Sequence, residues 1–248
     1  MIDILLLTYN RGTFLKTTID ELYKRTQSKF RLIVVDNHSN DETAELLNDY
    51  KNRDVVNHII TLDHLASICA AYDIGVQSVQ TEYFIMMQDD IIVPHFYDID
   101  WIERLVDEFN RIRNDGAIGC RIQHIPNLPP PSIGERVIPA RKALSAYCRI
   151  QKKSDYILMG GLGNRYWDDL EFVKKMYSIN KRCFWSNTLF VDHRGYMVEN
   201  KGYRNREERK FSNSEARMNE WRHRPYPEID PMTNVPLKWV SIVNSFDY

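Results

Sequence analysis

Short runs of apolar, β-forming residues alternate with amphipathic stretches through the first half of the chain, at a pitch of about 25 to 30 residues that marks βαβ units on a mostly parallel sheet. Ile2 to Leu7 reads as the first strand, and Leu15, Ile19 and Leu22 then share one face of a helix. Phe30 to Val35 is the second strand. After it, Ser39-Asn40-Asp41-Glu42 has the form of a capping box that opens a helix through Tyr50. Val55 to Thr61 is the third strand and Leu65 to Val79 the next helix. The fourth strand, Tyr83 to Met87, stops abruptly at Gln88-Asp89-Asp90.

The rhythm then loosens. Trp101 to Arg111 is amphipathic with helical spacing, Ala117 to Arg121 is a short strand, and the prolines from Pro126 to Pro131 mark a loop or segment boundary. Pattern returns at Tyr166-Trp167-Asp168-Asp169-Leu170-Glu171-Phe172, where a helix to about Tyr177 begins, followed by a strand from Arg182 to Val191. Asn200 to Tyr248 is polar and rich in Arg, Asn and Pro, and reads as a C-terminal extension or lid.

At 248 residues the chain suits one large α/β domain or one domain with an appendage, and 43% hydrophobic with 27% charged residues excludes the disordered and membrane classes. A net charge of −1 supplies no global field for nucleic acid, although Lys and Arg are locally in excess between Lys201 and Arg224, which suits either phosphate or a solvated tail. The four cysteines have no zinc spacing and read as reduced, buried thiols. The N-terminus has no basic region ahead of its apolar run and Asp3 interrupts that run, so it reads as a strand rather than a signal peptide. No apolar run approaches the roughly 20 residues that span a bilayer. The expectation is a cytoplasmic protein without a transmembrane segment, compatible with peripheral contact at a membrane surface.

Ligands of parallel sheets bind at the carboxyl ends of the strands. Those ends carry Thr8-Tyr9-Asn10-Arg11, Asp36-Asn37-His38-Ser39 and Asp89-Asp90. Asp36 is placed to accept a ribose hydroxyl or a base N–H, or else to close an Asx-turn. Tyr9 suits stacking on a base or ordinary packing, and Arg11 suits phosphate or solvent. Asp89 and Asp90 are adjacent carboxylates after an apolar strand, which repel unless a cation lies beside them, and hard oxygen ligands suit Mg²⁺ or Mn²⁺ carrying a diphosphate. A solvated acidic turn is the plainer alternative.

Taken together, Thr8 to Arg11, Val34 to Thr43 and Tyr83 to Pro94 resemble the inverting family 2 glycosyltransferases of GT-A fold, over residues 2 to 95 and again over 166 to 195. The resemblance implies a Rossmann-like, mostly parallel sheet flanked by helices. It implies a domain over 1–199, with 1–95 binding the nucleotide sugar and 96–199 the acceptor, followed by the extension 200–248. It puts Asp36 on the base or ribose with Thr8, Tyr9, Asn10 and Arg11 around the nucleotide. Asp90 falls on the metal, Mn²⁺ or Mg²⁺, and Asp89 on the ribose or the metal.

Trp167-Asp168-Asp169-Leu170-Glu171 is similar to the family's Glu-Asp-x-Asp-Leu segment, which maps the catalytic base to Asp169 and puts Trp167 and Asp168 on the substrate; without the resemblance these acids read as the dressed N-terminus of a helix. His193 looks like the histidine that relatives place near the metal or pyrophosphate. Gln88 departs from the pattern, standing where the family commonly has the first Asp of its DxD motif. The implied activity is transfer of a sugar from a UDP or TDP donor to a hydroxyl of a glycan or lipid-linked acceptor, in surface glycan or polysaccharide synthesis. A binding module without turnover and a nucleotidyltransferase remain as alternatives. A Rossmann oxidoreductase is disfavoured because no GxGxxG follows the first strand.

Overall fold

A computed structural model of the chain describes residues 1–96, 99–113, 115–122, 137–140, 144, 147–163 and 169–194. The proline cluster, Trp167, Asp168 and the segment from Asn200 onward lie outside the described residues. The elements run β1 (Ile2–Thr8), α1 (Gly12–Arg25), β2 (Phe30–Asp36), α2 (Thr43–Asn52), β3 (His58–Thr61), α3 (Ile68–Gln77), β4 (Tyr83–Gln88) and β5 (Ile91–Ile92). They continue with α4 (Trp101–Arg111), β6 (Gly116–Ile122), β7 (Val137–Pro139), β8 (Cys148–Lys152), α5 (Lys153–Leu158), α6 (Asp169–Ser178) and β9 (Arg182–His193).

The strands order as β3-β2-β1-β4-β8-β6-β9-β5, with β7 also on β9. Pairings β3-β2-β1-β4 are all parallel, as the βαβ pitch requires. β8 enters antiparallel between β4 and β6, and β9 returns parallel to β6. The central parallel strands β1, β2 and β4 are buried on both faces, so they read as unbroken apolar runs rather than alternating ones. Ile2, Ile4 and Leu6 of β1 pack with Leu15, Ile19 and Leu22 of α1 and with Trp101 and Leu105 of α4, whereas Leu5 and Leu7 pack with Ala71, Tyr72 and Val76 of α3 and with Phe172 and Met176 of α6. The result is three layers with the sheet in the middle. A Cβ on Gly75 would stand 2.6 Å from Leu5 and 2.7 Å from Val35, so α3 lies directly on β1 and β2.

Asp3, the one acid in β1, is fully buried. Arg31 of β2, opposite it in register, donates to Asp3 through Nε at 2.8 Å and Nη2 at 2.7 Å, and the Gln80 and Thr81 amides donate from the approach to β4. This cluster ties β1, β2 and β4 together at the edge opposite the strand ends that carry the candidate chemistry.

The capping box does not form. Helix α2 starts at Thr43 with no side-chain cap on its N-cap residue Glu42. Ser39 Oγ accepts instead from the Asn10 amide at 2.9 Å, and Glu42 Oε1 from the Thr13 hydroxyl at 3.3 Å. Both side chains serve the neighbouring loop, a tertiary use that outcompetes the local one. The expected strand at Val55 shortens to His58–Thr61, and the expected helix at Leu65 starts at Ile68, where Ser67 caps it by accepting from the Ala70 amide at 3.2 Å.

Among the described residues no helix is long and apolar enough to cross a membrane. All four cysteines are free and buried.

Candidate functional site

Parallel register puts the strand ends side by side: Thr8 faces Asp36 across β1 and β2, and Leu7 faces Gln88 across β1 and β4. The loops beyond them interlock. Asn10, at φ 49, turns its side chain so that Oδ1 accepts from the Asn40 amide at 2.7 Å, and the Asn37 amide donates to the Thr8 carbonyl at 2.9 Å. Asp36 is buried and its Oδ1 accepts from the Ser39 amide three residues on at 3.0 Å, so its carboxylate closes a local turn one residue longer than the Asx-turn expected as its plain role. Tyr9 stands 41% exposed beside it, open to stacking.

Asp89 and Asp90 follow β4 and are both buried. Thr8 Oγ1 donates to Asp89 Oδ2 at 2.8 Å, and Arg11 Nη1 lies 3.4 Å from Asp89 Oδ1 and 2.8 Å from Asp90 Oδ2. His193 Nε2 lies 3.2 Å from Asp90 Oδ1. Burial raises the pKa of Asp89, opposed by Arg11 and reinforced by Asp90. Burial also acts to raise Asp90, but His193 and Arg11 outweigh it and hold that carboxyl below its usual range. The two acids therefore differ in character: Asp90 is kept ionised, whereas Asp89 takes a proton more readily.

The second half of the chain reaches this edge through β9. Ile91 and Ile92 of β5 pair with His193 and Asp192, and the Arg194 amide donates to the Asp90 carbonyl at 2.9 Å. Tyr147, just before β8, lays its ring against His193 with centroids 5.5 Å apart, and its carbonyl accepts from the Gln88 amide at 3.1 Å. Asp169 opens α6, half-buried, with Glu171 in the same first turn; acids there are favoured by the helix dipole. Its carbonyl accepts from the Leu144 amide at 3.1 Å. Thr8, Tyr9, Asn10, Arg11, Asp36, Asp89, Asp90 and His193 thus gather at one sheet edge, and Asp169 is tied to the segment leading into β8. Trp167 and Asp168 lie outside the described residues.

Two residues of this region carried no sequence signal that was read. Tyr147 is one. The other is Asp73, a lone acid on the apolar helix α3. Its Oδ1 accepts from Tyr156 Oη at 2.6 Å and the Leu162 amide at 2.8 Å, and its Oδ2 from the Gly163 amide at 2.8 Å. Gly161, at φ 62, has no room for a side chain there, since a Cβ would stand 2.7 Å from Asp73 Oδ1. The Gly160-Gly161-Leu162-Gly163 run was the available clue: clustered glycines mark a tight backbone path.

The sequence profile of glycosyl transferase family 2 matches residues 3–169. The chain belongs to that family. This family 2 chain is 23% identical over 119 residues to "Glycosyltransferase GlyG" of Streptococcus pneumoniae serotype 4, a match covering 48% of the chain and 38% of the relative. In fold it is similar to GalNAc-T7 solved with UDP, GalNAc and Mn²⁺, at TM-score 0.65 and 15% identity over 78% of the chain and 43% of the neighbour. It is also similar to the mannosyltransferase PcManGT of Pyrobaculum calidifontis in complex with GDP-Man and Mn²⁺, at TM-score 0.60 and 13% identity over 79% and 59%. A third likeness is to S. aureus TarS in complex with UDP-GlcNAc, at TM-score 0.57 and 15% identity over 76% and 57%. The family 2 chain spans less than two thirds of each of these relatives. The GT-A fold expected from the motifs is the fold found.

Proposed function

We propose that the chain is a metal-dependent, inverting glycosyltransferase that moves a sugar from a nucleoside diphosphate sugar, of UDP or TDP type, to an acceptor hydroxyl. The observation that carries this reading is the meeting of Asp90 and His193: a buried, ionised carboxylate and an imidazole nitrogen 3.2 Å apart, next to Arg11 and two strands over from the Asp36 turn. The donor set fits a divalent ion. Oxygen from Asp90 and nitrogen from His193 suit Mn²⁺, which accepts both, and would hold it with Asp89 beside them. Among the described residues no group of three metal-ligating side chains occurs. Asp90, His193 and Asp89 would hold the ion where the donor's diphosphate would also lie, so metal and donor would bind together. Bound there, a divalent ion neutralises the diphosphate and stabilises the charge on the departing nucleotide.

The protein's own residues do the rest. Asp36 and Tyr9 would hold the nucleoside, Asn10 and Thr8 shape its pocket, and Arg11 would turn from the acids to the phosphates. Asp169 would take the acceptor proton as the acceptor oxygen attacks the face opposite the leaving group, with Trp167 and Asp168 beside the acceptor. Positioning of the two substrates supplies much of the acceleration. The acceptor would be a glycan or lipid-linked hydroxyl.

Gln88 motivates a second reading, a sugar-nucleotide-binding module without turnover, because an amide in place of an acid lowers the charge available to the metal. Thermal unfolding with a panel of nucleoside diphosphates and their sugars, with and without Mn²⁺, tests the proposal. UDP with Mn²⁺ is expected to raise the melting temperature more than either alone. Release of UDP, not pyrophosphate, in the presence of an acceptor separates transfer from binding alone and from nucleotidyl transfer; no shift across the panel overturns the reading.

A further inference from the structure

Tyr147 joins the two halves of the candidate site. Its ring stacks on Trp185 with centroids 6.1 Å apart and 23° between planes, and tilts against His193 on the way to Asp90. The Leu144 amide, three residues earlier in the chain, is bonded to Asp169. Arg149, two residues later, stacks its guanidinium 3.6 Å from the ring centroid of Phe172 on α6. The start of β8 and the start of α6 are therefore fastened to each other on both sides of Tyr147.

The side chain is only 4% exposed, and among the described residues its hydroxyl has no hydrogen-bond partner. Burying a hydroxyl without a partner opposes folding, and such groups are rare in native proteins unless a function retains them. A phenol keeps its proton at neutral pH, so the hydroxyl is a donor, and the bond from the Leu144 amide to the Asp169 carbonyl holds the start of α6 three residues along the chain from it.

We propose that the Tyr147 hydroxyl is a positioning group for Asp169: it donates to that carboxylate in the assembled complex and aims it at the acceptor hydroxyl, while its ring keeps His193 against Asp90. Catalytic hydrogen bonds often close only when substrates are bound. Tyr147 keeps its proton throughout, and the acceptor proton goes to Asp169. This rests on the glycosyltransferase reading with Asp169 as base.

Tyr147→Phe keeps the ring and removes the hydroxyl. Turnover is expected to fall about tenfold, the weight of one hydrogen bond made in the transition state, with donor KM and the UDP affinity in Mn²⁺ unchanged. The melting temperature should hold or rise, because a buried hydroxyl without a partner is gone. A structural hydroxyl would give the opposite sign, so a clear fall in melting temperature overturns the proposal, as does unchanged turnover. Tyr147→Leu also removes the ring and should weaken Mn²⁺-assisted UDP binding relative to the Phe variant; equal binding in the two overturns the ring's role. If the wild-type chain transfers no sugar from any donor of the panel, the functional reading itself has failed. Transfer by the wild type with equal transfer by Tyr147→Phe sinks the Tyr147 assignment alone.

Discussion

His193 holds its Nε2 3.2 Å from Oδ1 of Asp90, and backbone pairing brings them together: Ile91 pairs with His193, and the Arg194 amide returns to the Asp90 carbonyl. The contact joins the end of the last strand to the acids after the fourth.

If that pair holds the cation, Asp90→Asn and His193→Ala should remove the gain in UDP affinity that Mn²⁺ provides, a loss of about 10- to 100-fold. Affinity without metal should change little. Calorimetric titrations of UDP with and without Mn²⁺ make the comparison, and an undiminished Mn²⁺ effect in both variants removes the pair from the role.

Asp169→Asn tests the base. Its half-buried place at the start of α6 gives the amide the same shape, so the fold and donor binding should persist. Turnover should drop by about 10²- to 10⁴-fold, the range for loss of a positioned base. Near-normal transfer measured by UDP release would strip Asp169 of the assignment.

Asp73→Ala should act at a distance. Three hydrogen bonds to Tyr156, Leu162 and Gly163 are lost, and the two amides are left without that acceptor. At about 1 kcal/mol each the fold should lose about 3 kcal/mol in urea unfolding. Transfer should suffer more than UDP binding, because the loop that Asp73 holds leads toward Asp169 while the nucleotide edge is untouched.

Asp3→Asn addresses pH. Burial acts to raise the Asp3 pKa, but Arg31 and the Gln80 and Thr81 amides outweigh it and the net shift is downward. A carboxyl lowered in the folded state contributes stability above its unfolded pKa of about 3.9 and loses it as pH falls through the lower folded value. The variant should be about 3 kcal/mol less stable at pH 7, since Arg31 keeps its charge without a counter-charge, with the Ser78 carbonyl still accepting from it. That difference should shrink as pH falls below about 4. A difference constant from pH 7 to pH 3, measured by denaturant unfolding, would show that ionisation of Asp3 plays no part.

Much of the fold was legible because a sheet buried on both faces leaves an unmistakable imprint: apolar runs at Ile2, Phe30 and Tyr83, each stopping at a polar tip. The helices α1, α4 and α6 showed their apolar stripes. β8 was not legible. Cys148-Arg149-Ile150-Gln151-Lys152 alternates like an exposed strand, yet its first four residues are buried, with Arg149 placed over Phe172 and Gln151 donating to the Met86 sulfur. Polar side chains that find partners inside the protein look, in sequence, like side chains in water.

Local order along the chain determined where strands end and which polar residues stand there, since strand ends and apolar faces follow from neighbours a few positions apart. Only the tertiary structure decided which ends meet. Thr8 on Asp89, His193 on Asp90, Tyr147 against His193 and Asp73 beneath Gly163 each join segments far apart in the chain, and such contacts depend on pairing register and layer packing that no short window encodes. The same distance explains the capping box that failed to form: Ser39 and Glu42 carried the right local signal, and the loop beside them, from Asn10 to Thr13, offered better partners.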